Sequence, residues 1–259
     1  MLKFYEKCEA FSIPLTVAVK VIYFSIQMPL MKLAALFSGG KDSTFAIHRV
    51  QQQGREVACL LTLKSANPAS YMFHVPNIDM VKLQSKALGL HLIFKKTSGI
   101  KEEELKDLKS ALTAAKRLYK IDGVVSGAID SEYQRYRVEA VCADVGLKSL
   151  APLWHLEPER YLIELIKEGY EIIIVSVASG GLDHTWLGRK LDLQALEDLK
   201  RVRDKFGIHI SGEGGEYETL VVDGPIFKKR IEILEFEKVW KEDSGIFIVK
   251  KAKLAKKKK

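Results

Sequence analysis

Leu33-Ala34-Ala35-Leu36-Phe37-Ser38-Gly39-Gly40-Lys41-Asp42-Ser43-Thr44 runs from an apolar segment through paired glycines into Phe45-Ala46-Ile47-His48-Arg49-Val50. That order reads as a strand, a tight turn and the first turns of a helix. Glycines at such a turn let backbone N–H groups close around an anion, and the helix N-terminus adds a partial positive charge. Lys41 supplies a full charge, and Ser38, Ser43 and Thr44 offer hydroxyls. The stretch is a phosphate cradle.

It is not a Walker loop, which needs four residues between its first glycine and Gly-Lys-Ser/Thr. Here two glycines directly precede Lys41, and Asp42 follows it. Ser-Gly-Gly-x-Asp-Ser after a first strand resembles the PP-loop of enzymes that split ATP into AMP and pyrophosphate.

The pattern onward from Met31 alternates strand and helix. Strands are expected at 55–63, 90–95 and 123–126, with helices at 75–89, 101–119 and 130–146. Short apolar strands separated by helices imply βαβ units and a parallel sheet covered on both faces. Ligands on such sheets bind at the carboxyl ends of strands. The Ser38–Thr44 loop and Ser126-Gly127-Ala128 both fall at such ends, and Gly127 leaves room for a nucleotide. Beyond Ala151-Pro152-Leu153-Trp154 the texture changes. Helices are expected at 157–169 and 192–206, and strands at 171–178, 230–239 and 246–251. The fold class is therefore α/β: a PP-loop (HUP-like) parallel sheet at 31–150 and a second, smaller α/β substrate domain at 151–250.

Composition narrows the function classes. The 259 residues are 47% hydrophobic and 29% charged, with a net charge of +8. The last ten residues hold seven lysines and no acid, leaving the rest near +1. A near-neutral body argues against a duplex-binding surface. Residues 251–259 are expected to be a frayed, solubilising tail. Cys8, Cys59 and Cys142 are isolated, which fits a reducing, cytoplasmic setting and leaves no cysteine pair for a zinc ribbon or thiol relay. Residues 11–30 are apolar but interrupted by Lys20 and bracketed by Pro14 and Pro29, so no membrane span is expected. Residues 1–30 are read as an extension outside the enzyme, with translation starting at Met31.

The second dense stretch is Gly212-Glu213-Gly214-Gly215-Glu216-Tyr217-Glu218-Thr219-Leu220. Three carboxylates and a tyrosine around adjacent glycines can hold Mg²⁺, a cationic substrate or an attacking amine. Taken with Tyr133-Gln134-Arg135, Leu153-Trp154, Leu187-Gly188-Arg189 and Pro225-Ile226-Phe227-Lys228-Lys229, the series resembles the diphthine–ammonia ligases. The likeness runs from about Met31 to Val239.

The resemblance implies ATP-dependent amidation, by ammonia, of the diphthine carboxylate on elongation factor two, through an acyl-adenylate. It assigns ATP to Ser38, Gly39, Gly40, Lys41, Asp42, Ser43, Thr44 and Gly127. Lys41 would neutralise phosphate charge, and Asp42 would orient Mg²⁺ or cap the helix. Arg189, Glu213, Gly214, Gly215, Glu216, Tyr217 and Glu218 would face the substrate, with Tyr217 giving a cation–π face to its trimethylammonium. Arg135 and Arg137 are further partners for a carboxylate or phosphate, and His184 a further candidate. Lys41, Asp42, Glu213 and Glu216 are the candidate catalytic residues, and one of Glu213, Glu216 and Glu218 would accept a proton from the attacking ammonium, with the division of roles among them open. With no glutaminase nucleophile in view, ammonia enters free. The rival readings are a PP-loop RNA-modifying ligase and an ATP-binding module without catalysis.

Overall fold

The computed structural model describes residues 30–67, 76–100 and 102–257. The expectation for residues 1–30, and Cys8 with it, lies outside the described residues except at Leu30. Met31–Lys259 forms one compact unit.

Its first sheet has five parallel strands in the order β3-β2-β1-β4-β5. These are β1 (Lys32–Leu36), β2 (Glu56–Ser65), β3 (His91–Thr97), β4 (Gly123–Val125) and β5 (Lys148–Leu150). The crossovers are α1 (Lys41–Gln52), α2 (Val81–Leu88), α3 (Glu103–Tyr119) and α4 (Glu132–Asp144). The sequence reading omits β5 in this sheet, and Tyr217–Asp223 in the second. Lys148-Ser149-Leu150 has a single apolar residue, so it carries no strand signal and is defined by its pairing with β4.

Continuous apolar strands are what a sheet buried on both faces requires. Along β1, Leu33 and Ala35 point into one core layer and Ala34 into the other. On the second face Leu108, Ala111, Leu112 and Ala115 of α3 recur at helical spacing and pack against Cys59, Leu61 and Val124. Helix α4 starts at Ser131, whose hydroxyl accepts from Gln134 N at 3.4 Å.

The second sheet is antiparallel, in the order β7-β6-β9-β8. Its strands are β6 (Glu171–Val177), β7 (Tyr217–Asp223), β8 (Arg230–Lys241) and β9 (Ser244–Ala255), with α5 (Pro158–Lys167) and α6 (Leu193–Phe206). Glu157 caps α5, accepting from Arg160 N at 2.7 Å, and Asp192 caps α6. One correction concerns the basic end of the chain. Lys250–Ala255 is no frayed tail but the second half of β9, where Lys250, Lys251 and Lys253 face Glu237, Glu235 and Glu232. Alternation of lysine with apolar residues is a strand pattern, and the matching glutamates on β8 neutralise it.

Candidate active site

β1 and β4 are neighbours, and the chain leaves β1 toward one side of the sheet and β4 toward the other. The crevice at their carboxyl ends is the switch point where such folds bind ligands. Ser38-Gly39-Gly40 leaves β1 there, and Ser126-Gly127 leaves β4. Gly39 has φ +83°, and a Cβ would sit 2.2 Å from Gln84 Oε1. A Cβ at Gly127 would lie 2.6 Å from the backbone of Asp42 and Ser43. Both positions need glycine, the first for its φ and both for space.

The glycine loop is held from outside its own sheet. Gly39 O accepts from Val221 N at 3.0 Å, and Lys41 N donates to Thr219 Oγ1 at 3.1 Å. Gln84 Nε2 on α2 bridges Gly39 O and Val221 O, each at 2.8 Å. β7 therefore clamps the loop, and β7 opens with the acidic signature. The two motifs, about 170 residues apart in sequence, share a cavity of about 310 Å³. Its polar lining includes Ser38, Asp42, Ser43, Glu213 and Glu218, and its apolar lining Phe37, Leu61, Leu63, Ile78 and Val138, with Gly127 among the rest.

Asp42 projects into this cavity with both oxygens engaged. Lys41 Nζ lies 3.0 Å from one, and the Tyr161 hydroxyl donates to the other at 2.7 Å. Asp42 thus does not cap α1, which has Gly40 at its N-cap and no side-chain cap. Lys41 itself is 3% exposed and does not line the cavity. Its ammonium sits over the Tyr217 ring, 5.4 Å from the centroid. Burial alone would depress its pKa, but the Asp42 carboxylate first, with Glu213 beyond it, outweighs this and holds it well above the usual lysine value. Lys41 stays charged and acts on Asp42. Burial, with Asp42 beside it, raises the Tyr161 phenol, which stays protonated as a donor.

The acidic signature divides by role. Glu216 is spent on the loop: its oxygens accept from His209 N at 2.7 Å and Gly214 N at 2.8 Å. Tyr217 is buried, and its hydroxyl donates to Ile210 O at 2.7 Å. The structure does not present it as a cation–π face for substrate, because Lys41 already occupies that role. Gly214, Gly215, Glu213 and Glu218 line the cavity. Glu213 accepts from Asp130 N at 3.3 Å. Burial and the negative Asp42 push its carboxyl up to about 7, against the pull of Lys41. Burial likewise raises Glu218 to about 7, with Lys41 lowering it and Asp42 and Glu213 raising it.

Arg189 is not brought to the cavity. Its guanidinium pairs with Asp198 and stacks on Trp186, 4.3 Å from the ring centroid. Arg135 and Arg137 pair with Glu139 and Glu102 and lie over Trp154 and Tyr133. His184 meets the edge of Trp240. Thr44 is fully buried, and its hydroxyl donates to Gly40 O at 2.8 Å, so it shapes the turn. The residues missed from sequence are Tyr161, Gln84, Asp130 and Thr219. Tyr161 and Gln84 lie on amphipathic helices, where nothing local separates a site residue from a core residue.

A five-stranded parallel sheet with a glycine loop at its switch point defines an α/β protein of the PP-loop nucleotide-binding type. Family models of the diphthamide synthase N-terminal and C-terminal domains match residues 31–149 and 157–255, and the chain belongs to the diphthamide synthase family. A Danio rerio protein named diphthine–ammonia ligase is 38% identical over 233 residues, covering 83% of this chain and 91% of its own. The Homo sapiens protein of that name is 35% identical, over 78% of this chain and 82% of its own. A Schizosaccharomyces pombe relative, also so named, is 37% identical over 81% of this chain and 37% of its own.

Proposed function

We propose that this chain amidates the diphthine carboxylate of elongation factor two with ammonia and ATP, releasing AMP and pyrophosphate, as the last step of diphthamide synthesis. The observation that carries the reading is the shared cavity. The phosphate loop and the Glu213–Glu218 loop are locked together through Thr219 and Val221, so a nucleotide held by one faces the other.

The chemistry requires that neighbourhood. A carboxylate is a poor electrophile, since its charge repels nucleophiles and oxide cannot leave. Adenylation replaces the oxide with a phosphate monoester. Ser38, Ser43 and the glycine-loop amides would bind the phosphates while the substrate acid attacks the α-phosphorus. The apolar wall of Phe37, Leu61 and Leu63 suits a base. Lys41 and Tyr161 would fix Asp42 rather than touch the phosphates. We assign ATP binding to residues 31–150 and recognition of the acceptor to 151–250.

Mg²⁺ fits as the companion of the triphosphate. Among the described residues no three His, Cys, Asp or Glu side chains are grouped to hold a metal. Nucleotide oxygens and water would therefore supply most of its shell, with Asp42 the carboxylate of the loop. When bound, Mg²⁺ supplies charge neutralisation at the phosphates. Cys59 and Cys142 are buried, and burial pushes their thiols up to about 12 and about 11. Such thiols are inert, which favours free ammonia over a glutaminase step. They also suit a reducing, cytoplasmic setting. Among the described residues no helix is long and apolar enough to cross a membrane.

The test is incubation with diphthine-bearing elongation factor two, ATP and ammonium. Equal yields of AMP and amidated product are expected. ADP as the product, or no nucleotide cleavage, would refute the proposal; AMP formed only with transfer RNA would favour the RNA-modifying reading.

A further inference from the structure

We propose that Glu218 is the base that receives ammonium's proton, with Glu213 taking the second proton as the amide forms. The assignment rests on the amidation reading and deepens it. Five residues of the signature carry polar side chains, and the structure uses up three of them, Thr219 by accepting from Lys41 N. Glu216 accepts from His209 N and Gly214 N, and the buried Tyr217 donates to Ile210 O and does not line the cavity. Among the remaining cavity acids, Asp42 is bound by Lys41 and Tyr161, and Glu213 accepts from Asp130 N. Glu218 lines the same cavity, and among the described residues no hydrogen bond or ion pair engages its carboxylate. It is the acceptor left available.

The charged groups acting on Glu218 are Lys41 and Asp42 from α1 and Glu213 from the loop. Three carboxylates against one ammonium leave an electronegative wall that draws a small cation. The grouping does not suit a metal. A trimethylammonium has no N–H to donate and prefers an aromatic face, and Tyr217 is turned away. Ammonium, with its N–H donors, matches an open carboxylate. Burial first, then the neighbouring acids, raise Glu218 to about 7, where a base both holds and releases a proton near neutral pH.

The step balances. An ammonium N–H bond breaks, and its proton goes to Glu218. The freed nitrogen lone pair forms the C–N bond at the acyl carbon. A second proton passes from the tetrahedral nitrogen to Glu213, and the C–O bond to AMP breaks with the electron pair leaving on the phosphate.

The experiment compares wild type with Glu218→Gln, reading substrate-dependent AMP release and amide formation separately at pH 7. Ammonium is the first nucleophile and hydroxylamine the second, because hydroxylamine is largely neutral there and needs no prior deprotonation. In E218Q the ratio of amidation to adenylation should fall by about 10²-fold with ammonium and recover with hydroxylamine. An equal loss with both nucleophiles, or a loss confined to adenylation, overturns the assignment. Absence of adenylation in wild type overturns the underlying reaction instead, and the two failures are told apart by which protein shows them. Glu213→Gln is the companion variant, expected to show a smaller ammonium-specific loss.

Discussion

Glu213 and Glu218 are held in the cavity at a cost to the fold, and that cost has a sign. Each carboxyl binds its proton more tightly folded, near pH 7, than unfolded, near the ordinary value of 4.5. Between those values the folded state carries more protons, so stability falls as pH rises. Glu218→Gln removes one such group without changing its shape. The variant should melt higher than wild type at pH 8, with the gap closing by pH 5, as read by calorimetry at both pH values. A variant that melts lower at pH 8 would mean that the Glu218 charge stabilises the fold. At the same scale Tyr161→Phe deletes one hydrogen bond to Asp42. A bond to a charged group is worth roughly 1.5–3 kcal/mol, so adenylation should slow by about 10- to 100-fold with the KM for ATP little moved. A rise in KM alone would put Asp42 in ground-state binding. Residue identity was readable where backbone demands it, as at Gly39 and Gly127. It was not readable within Glu216-Tyr217-Glu218. Tyr217 and Glu218 open β7 and face opposite sides, while Glu216 lies just before the strand and is taken up by loop amides, so only tertiary partners decide which carboxylate reaches the cavity.

Elements translate that logic into register. β1, β2 and α3 were legible because apolar runs and a clean helical stripe leave one solution, and β4, though three residues long, because its paired valines lead into the Ser126-Gly127 turn. β5, β7 and the outer half of β9 were not, since Lys148-Ser149-Leu150 has a single apolar residue, β7 starts inside the glycine-acid signature, and the lysine-rich end of β9 takes its structure from β8. β8 and β9 pair along their length, with Ile231 opposite Leu254 and Ile233 opposite Ala252. The exposed Glu–Lys pairs across them contribute about 0.2–1 kcal/mol each, and the apolar pairs add burial. A chain ending at Val249 should therefore lose several times more melting temperature than one ending at Ala255, measured by thermal denaturation. Equal losses would mean that the distal hairpin contributes nothing to the folded state.

For the whole molecule the question is whether the two sheets can stand apart. A single apolar cluster contains Leu33, Phe45 and Val125 from the first sheet and its first helix, with Ile172, Val177 and Val221 from the second. Tyr161 of α5 lies within 6 Å of Phe45 of α1, ring centre to ring centre, and the glycine loop takes its backbone partners from Thr219 and Val221. Removing residues 151–259 would open one face of α1 to water and leave the loop's N–H and C=O groups without their β7 partners. The intact Met31–Lys259 unit should unfold in one calorimetric transition with matching calorimetric and van't Hoff enthalpies. ATP at 100-fold over its Kd should stabilise that whole transition by about 2.7 kcal/mol. An isolated 31–150 segment should neither melt cooperatively nor bind ATP. If it does both with the affinity of the full chain, the clamp from β7 is dispensable, and the second sheet serves only the acceptor.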